Sequence, residues 1–418
     1  GNVVKTIKAR YLWELILDLA AETGGPFIHF IDQSNRHLPE AQKKLGLKVN
    51  NVNICTEITL ANNKDRTAVC CLGSVNLLHF DEWSKNPQFI PDIIEFLDNI
   101  LEYFINNAVY SCTRDLDRDP IARTIKEYVP SASPEQVQAL VHALIERHIM
   151  GAKKAVYSAS QERAIGLGAM GLGSYLLQRE IPYDSREALT ITDKMFKHIK
   201  TEAVKASKAL AVIRGEAPDM VGTGMRNSHL LAVAPTATNS TINAQRVEGT
   251  DLSGGLTPAL EPRYEMVYTQ KTKSGRFKVT EPKLIEVLRK HGQDKPEVYS
   301  SIFDNLGSVQ HLDFLTDHEK SFLRTAREYN QKSVVEVAAT AQAHVCQAIS
   351  LNLDFHQHVP RKYVNAVHMH MWKKGIKSRY YVRMPALTNA NVFAKSYENK
   401  ITINYDAEDL FSGCEGCQ

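Results

Sequence analysis

Residues 229–240 read HLLAVAPTATNS. His229–Ala234 is a short apolar run of strand length, and Pro235 breaks it. The small hydroxyl residues that follow open a helix. A buried strand that hands over to a helix is the unit of an α/β fold. Outward from this stretch the same alternation recurs. Toward the N-terminus, Val3–Glu22 carries Leu12, Leu15, Ile16 and Leu19 at helical spacing and ends at Gly24-Gly25-Pro26. Residues 27–31, FIHFI, then read as a buried strand. A strand is expected around Ala68–Leu72, and helices over 91–112, 134–158 and 185–211, with Ser131 or Ser133 as cap and Glu135 near the third helical position of the second. Beyond Glu261 the pattern is mixed and more charged, which suggests a smaller unit. From Ala407 onward the sequence can build no core, and a mobile terminus is expected.

The 418 residues include 50 Lys+Arg and 47 Asp+Glu, a net charge of +3. That balance speaks against a nucleic-acid coat or a polybasic membrane anchor. No run approaches the length of a membrane span. Seven cysteines, at 55, 70, 71, 112, 346, 414 and 417, are too few for a disulfide scaffold. They point to the cytoplasm, with any redox use catalytic and transient.

Two patterns are decoys. Gly166-Leu-Gly168-Ala-Met-Gly171 has the spacing of a dinucleotide fingerprint, but the polar SASQERA before it is no strand, so close helix packing explains the glycines better. His356, His358, His368 and His370 form i,i+2 pairs, which on a helix face different ways, so no metal site is expected. Cys112 and Cys346 sit in apolar helical contexts and read as core thiols.

Other stretches carry chemistry. Residues 51–67 read as a loop carrying Cys55; in Asn53-Ile-Cys55-Thr-Glu57 an amide, a thiol and a carboxylate alternate, and were the segment extended they would share a face. Cys70 lies in the apolar AVCCL. Cys414-Glu-Gly-Cys417 sits on a tail with no packing reason for thiols, and such a pair suits reversible disulfide exchange better than zinc, for which two more ligands are wanting. Pro235, Thr236, Ala237, Thr238 and Asn239, just past a strand, could offer amides and hydroxyls to a phosphate or form a plain cap and turn. Tyr380-Tyr381 would point to opposite faces of a strand, an adjacency that alone means little.

In order, KARYLWELILDLAAETGGPFIHFIDQSNR, NVNICTEI, AVCCLGSVNL, RAIGLGAMGLGSYL, IPYDSREAL, LAVAPTAT, SGRFKV, GSVQHLDFLTDHEK, VCQAISLN, WKKGIKSRYYVR and CEGC resemble the large, catalytic subunit of class I ribonucleotide reductase. The resemblance implies the second half of a ten-stranded β/α barrel with a central finger loop (1–260), a small α/β C-terminal domain (261–405) and a flexible redox tail (406–418). It implies that Cys55 is the thiyl-radical residue and that Glu57 is the base on the ribose 3′-hydroxyl. Asn53 would hold the ribose hydroxyls, and residues 235–239 the phosphates of a ribonucleoside diphosphate. Cys70 would be one of two reducing thiols. Cys414 and Cys417 would regenerate it and be reduced by thioredoxin or glutaredoxin. Tyr380 and Tyr381 would relay the radical from a small, metal-containing subunit, with no cofactor held by this chain itself.

The family's large subunit extends upstream of this opening segment and carries the second active-site cysteine there. Cys71, Cys112 and Cys346 do not occupy that position. The expected partner is therefore an N-terminal companion polypeptide, as in split phage-type large subunits. The segment after PTAT, TINAQRVEGTDLSGGLTPALEP, is longer than the family's. Two other readings are a cobalamin-dependent class II reductase, disfavoured by the tyrosine pair, and a non-catalytic assembly fragment, disfavoured by retention of the whole set.

Overall fold

The structure, a computed structural model, describes residues 5–114, 118–243, 245–246, 253–272, 275–356 and 359–384. Its organising feature is a parallel ladder. Strand Leu72–Asn76 pairs with Gly166–Met170 from Leu72↔Gly166 to Asn76↔Met170. Leu167 then bridges to Leu231, and Val233 to Ile349, both parallel. The segment beginning at Ile349 continues into Leu353–Asp354, which pairs in parallel with Val382–Arg383. Five successive segments thus lie side by side in chain order, with helices between them, as a parallel sheet requires. Residues 24–30 close one flank: Ile28–His29 pairs antiparallel with Ser378–Arg379, and Val382 N donates to Gly24 O at 3.1 Å. Among the described residues Leu72–Asn76, at the other flank, has a strand partner on one side only.

The helices that connect the ladder have clear local causes. Pro134–Glu162 starts at a capping box in which Ser133 accepts from Gln136 N and Gln136 answers to Ser133 N. The third helical position is therefore Gln136, not Glu135. Arg186–Arg214 is capped by Ser185 and ended by Gly215. Phe89–Arg114 packs against both. The main core runs from Leu17 to Val382 and includes Ile94, Leu97, Leu167, Phe196, Val233, Val335 and Leu353. A smaller core gathers Leu177, Met266, Leu284, Leu288, Val309 and Phe322. No helix among the described residues is long and apolar enough to cross a membrane.

Several sequence expectations are corrected. The first helix is Ala9–Thr23, and residues 5–8 are not part of it. It buries Leu17 and Ala20, whereas Leu12, Leu15 and Leu19 stand 43%, 41% and 40% exposed. The apolar stripe thus faces away from this chain's core. The strand in residues 27–31 is only Ile28–His29, and a helix begins at Ile31. The strand expected at 68–72 begins at Leu72.

The Gly166 glycines serve strand packing rather than helix packing. A Cβ at Gly166 would overlap Leu72 and Ala232 side chains, and one at Gly168 would overlap the Ala232 carbonyl. Cys346 follows the helix Gln331–Gln342, lies outside any helix and is half-buried, packed against the main core rather than inside it. Cys112 lies in the Phe89 helix, but its side chain is not among those described, and the 407–418 tail, His358 and most of the 244–252 stretch lie outside the described residues.

Candidate active site

Asn53, Cys55 and Glu57 are brought together by a turn, not by an extended segment. Thr56 N donates to Asn53 O at 3.0 Å, and Thr56 adopts φ +68°, the left-handed region. Asn53 Nδ2 donates to Glu57 Oε2 at 2.8 Å, and Asn53 Oδ1 accepts from Ile58 N at 3.0 Å. One amide thus fixes both the turn and the carboxylate. Behind the turn, Ala348 N donates to Glu57 O at 2.9 Å. Ser350 Oγ donates to the Cys55 carbonyl and lies 3.3 Å from Glu57 Oε2. The loop is therefore stitched to the ladder segment that pairs with Val233. Glu57 is buried, Asn53 and Cys55 are half-buried, and Ile54 projects outward at 80% exposure.

The chain between Cys55 and Cys70 is pinned by a buried ion pair. Arg66 donates to both oxygens of Asp219, at 2.5 and 2.9 Å. Gln42 lies 3.5 Å from both Asp219 and Glu162. Cys70 is exposed and Cys71 buried. The AVCCL segment therefore offers Cys70 to the site and Cys71 to the core, where its thiol donates to Leu97 O.

The thiols are held protonated. Burial first, then the Glu57 charge, raises Cys55, against a hydrogen bond with Tyr380. Cys70 reaches solvent, yet the chain packed around its thiol, followed by the charges of Glu57, Cys71 and Cys55, pushes it up to about 12. Glu57 and Cys55 thus both act electrostatically on Cys70. Thiols kept as S–H suit hydrogen-atom chemistry better than nucleophilic attack.

Tyr380 and Tyr381 lie between Ser378–Arg379 and Val382–Arg383, not inside a strand. Their rings are therefore not thrown to opposite faces. The ring centroids are 4.4 Å apart at 60°, and Phe27 packs on both, at 4.6 and 4.7 Å. Burial first, then the nearby Cys55 and Tyr381, raises the Tyr380 hydroxyl, and Tyr381 reaches solvent at 38% exposure. Gly24 makes room: a Cβ there would meet the Tyr381 ring at 3.0 Å. Asn352 Oδ1 accepts from Tyr381 N at 2.9 Å.

The 235–239 segment leaves the ladder at Val233, whose carbonyl accepts from Ser350 N. Thr236, at φ +50°, turns its hydroxyl inward to accept from Ala259 N at 2.8 Å. Thr236 Oγ1 thus has a structural bond, Pro235 is half-buried, and Ala237, Thr238 and Asn239 are exposed. Cys414 and Cys417 lie outside the described residues. Sequence reasoning singles out neither Ser350 nor Phe27, although VCQAISLN and FIHFI contain them; nothing in their local pattern shows that the fold brings them to Cys55 and to the tyrosines. Among the described residues no group of three or more His, Cys, Asp or Glu could hold a metal ion. His368 is buried with Nδ1 on Val364 O, and His370 pairs with Glu336 at 2.7 Å.

Residues 1–223 and 218–382 match the sequence model described as ribonucleotide reductase, barrel domain. The ribonucleoside-diphosphate reductase large subunit of Invertebrate iridescent virus 3 is 38% identical over 100% of this chain and 58% of its own length. That of Caenorhabditis elegans is 28% identical over 98% of this chain and 49% of its own. A solved structure, the class Id ribonucleotide reductase alpha subunit of Actinobacillus ureae, superposes with a TM-score of 0.73 at 31% identity, covering 92% of this chain and 62% of that one. The chain spans about half to three fifths of the length of these relatives.

Proposed function

The chain belongs to the ribonucleotide reductase large-subunit family, and from that premise we propose that it is the C-terminal catalytic piece of a split class I large subunit reducing ribonucleoside diphosphates. The observation that carries this reading is the packed pair of the half-exposed Tyr381 and Tyr380, with Tyr380 near enough to Cys55 for each to shift the other's titration. An oxidising equivalent delivered at the surface by a small, metal-containing subunit would pass along the tyrosines. It would leave Cys55 as a thiyl radical, its hydrogen taken by Tyr380. Nothing in this chain needs to generate the radical.

Each residue then has a defined task. The Cys55 thiyl takes hydrogen from the ribose 3′-carbon. Glu57, aligned by Asn53 and Ser350, takes the 3′-hydroxyl proton, and the 2′-hydroxyl departs as water. Cys70 and a second thiol give up two electrons and two protons and close a disulfide, after which Cys55 returns its hydrogen to the 3′-carbon. The second thiol is assigned to an N-terminal companion chain, which would also complete the ten-stranded barrel around this finger loop. The exposed residues 237–239, preceded by Pro235 and the inward-bonded Thr236, would receive the phosphates. Cys414 and Cys417 would reduce the disulfide and be recycled by thioredoxin or glutaredoxin.

The test is reconstitution. Purified chain, companion and small subunit are mixed with a nucleoside diphosphate and a dithiol, and deoxynucleotide is quantified. Product is expected only from the complete mixture and is expected to vanish with Tyr380→Phe or Cys55→Ser. Full turnover by the lone chain, or by the Cys55→Ser complex, would overturn the reading.

A further inference from the structure

Tyr380 and Tyr381 meet at a local fault in the ladder. Tyr380 N donates to Leu351 O at 2.8 Å, and Leu353 N donates to Tyr381 O at 2.9 Å. In a regular parallel pair a single residue would make both bonds. Here two residues, Tyr380 and Tyr381, stand opposite one, Asn352, which is the count of a β-bulge. A bulge leaves one residue unpaired in the ladder and re-aims the side chains around it. The group left over is the Tyr381 N–H, and its acceptor is a side chain: Asn352 Oδ1, at 2.9 Å.

Asn352 is itself fixed from behind. It is only 2% exposed, and its Nδ2 donates to Oε1 of Glu261, which is buried as well. Arg383, two residues beyond Tyr381, donates to Glu261 Oε2 at 2.9 Å. With Oε2 taken up by Arg383, Oε1 serves as acceptor, so the amide turns Nδ2 to it and presents Oδ1 to the tyrosine. The carboxyl group thereby sets which way round the Asn352 amide lies. Neither Asn352 nor Glu261 has a role in the chemistry above.

On the reading of Tyr381 and Tyr380 as a radical path, we propose that Asn352, oriented by Glu261, is its positioning residue: it holds the bulge that puts both rings on one side and so sets their contact. A relay depends on the placing of its members, so a slackened bulge slows radical delivery and leaves substrate binding alone.

The first measurement needs only the full chain. 3-Fluorotyrosine is placed at position 381, where its fluorine resonance reports the neighbouring Tyr380 and Phe27 rings. Asn352→Ala should move that resonance toward the value of free 3-fluorotyrosine. Asn352→Asp sets two carboxyl groups against each other and should do the same. Asn352→Asp combined with Glu261→Gln restores an acceptor for Tyr381 N and a donor across the pair, so the resonance should return to the parent position. The second measurement is turnover in the reconstituted mixture. Asn352→Ala should lower kcat about 100-fold, the scale of an ångström's misplacement, with KM for the nucleoside diphosphate unchanged, and the exchanged pair should recover kcat. A resonance that stays in place in Asn352→Ala would overturn the assignment, as would a moved resonance with parental kcat, or a loss shared by KM. An inactive parent mixture would refute the radical path, and the relay role with it, while the fluorine shift would still show that Asn352 holds the bulge. Should Asn352→Ala fail to fold, the exchanged pair decides: parental resonance and kcat support the assignment, and a displaced resonance, a lowered kcat or a lost fold overturns it.

Discussion

At Gly168 the ladder tolerates no side chain, because a Cβ would overlap the carbonyl of Ala232 on the neighbouring segment. Gly168→Ala must therefore push the neighbouring backbones apart, and overpacking of this kind costs about 1–3 kcal/mol. Urea unfolding followed by circular dichroism should show the stability fall by that amount. Glu162 gives a second prediction. Burial first, together with the Asp219 charge, pushes its carboxyl up to about 7, against bonds from Ser158 and Gln42 and the Arg66 charge. The folded chain keeps this proton when the unfolded chain has lost it. Stability is therefore drained as pH rises from the ordinary value of 4.5 to about 7, and the loss is complete above that. Glu162→Gln should remove this drain, worth at most about 3 kcal/mol. Melting curves between pH 5 and 8 should show the variant gaining on the parent as pH rises.

Elements were legible where one chain segment decides them. The helices near 91–112, 134–158 and 185–211 follow from apolar periodicity and from Ser133 and Ser185, and all are present with small shifts of boundary. Where a second segment decides, local pattern failed. The loop carrying Cys55 was legible, but not that Ser350 and Ala348, almost 300 residues away, hold Asn53, Cys55 and Glu57 in its turn. The tyrosines read as strand neighbours, yet Gly24 and Phe27 gather both rings into one stack. Periodicity likewise found an apolar stripe on the helix Ala9–Thr23 without saying what it meets. Since Leu15 and Leu19 remain about two-fifths exposed, Leu15→Glu with Leu19→Glu should leave this chain's own melting point nearly unchanged, within about 0.5 kcal/mol per site. The same pair should weaken binding to the companion chain, measured by sedimentation, if this face is the one it covers.

For the molecule as a whole, buried neutral histidine contributes to the loss of stability in acid. His368 is lowered to about 4 and His229 to about 3, in both cases chiefly by burial. Unfolded histidine takes up its proton near 6.5, and the folded chain declines it. Stability is thus fully present above 6.5 and is lost as pH falls toward 4. His368→Gln should flatten that decline, read as the melting temperature between about pH 7 and 4.5. The family was legible in the ordered motifs because they are spread over nearly the whole chain. The ladder was not, because its register depends on glycines that resemble a nucleotide fingerprint.

The one-sided pairing of Leu72–Asn76 has a consequence for how the protein is assembled. Its outer row of amides and carbonyls is a template on which any extended peptide can zip, and Cys70 stands two residues before that row begins. A strand added there would lie alongside the sulfur, so closing the sheet and supplying a neighbour for Cys70 would be one event. Until then the same edge invites a second copy of the chain, and precipitation on storage is the competing outcome. Deuterium uptake at residues 72–76 should slow when the companion is supplied, and aggregation should recede in step.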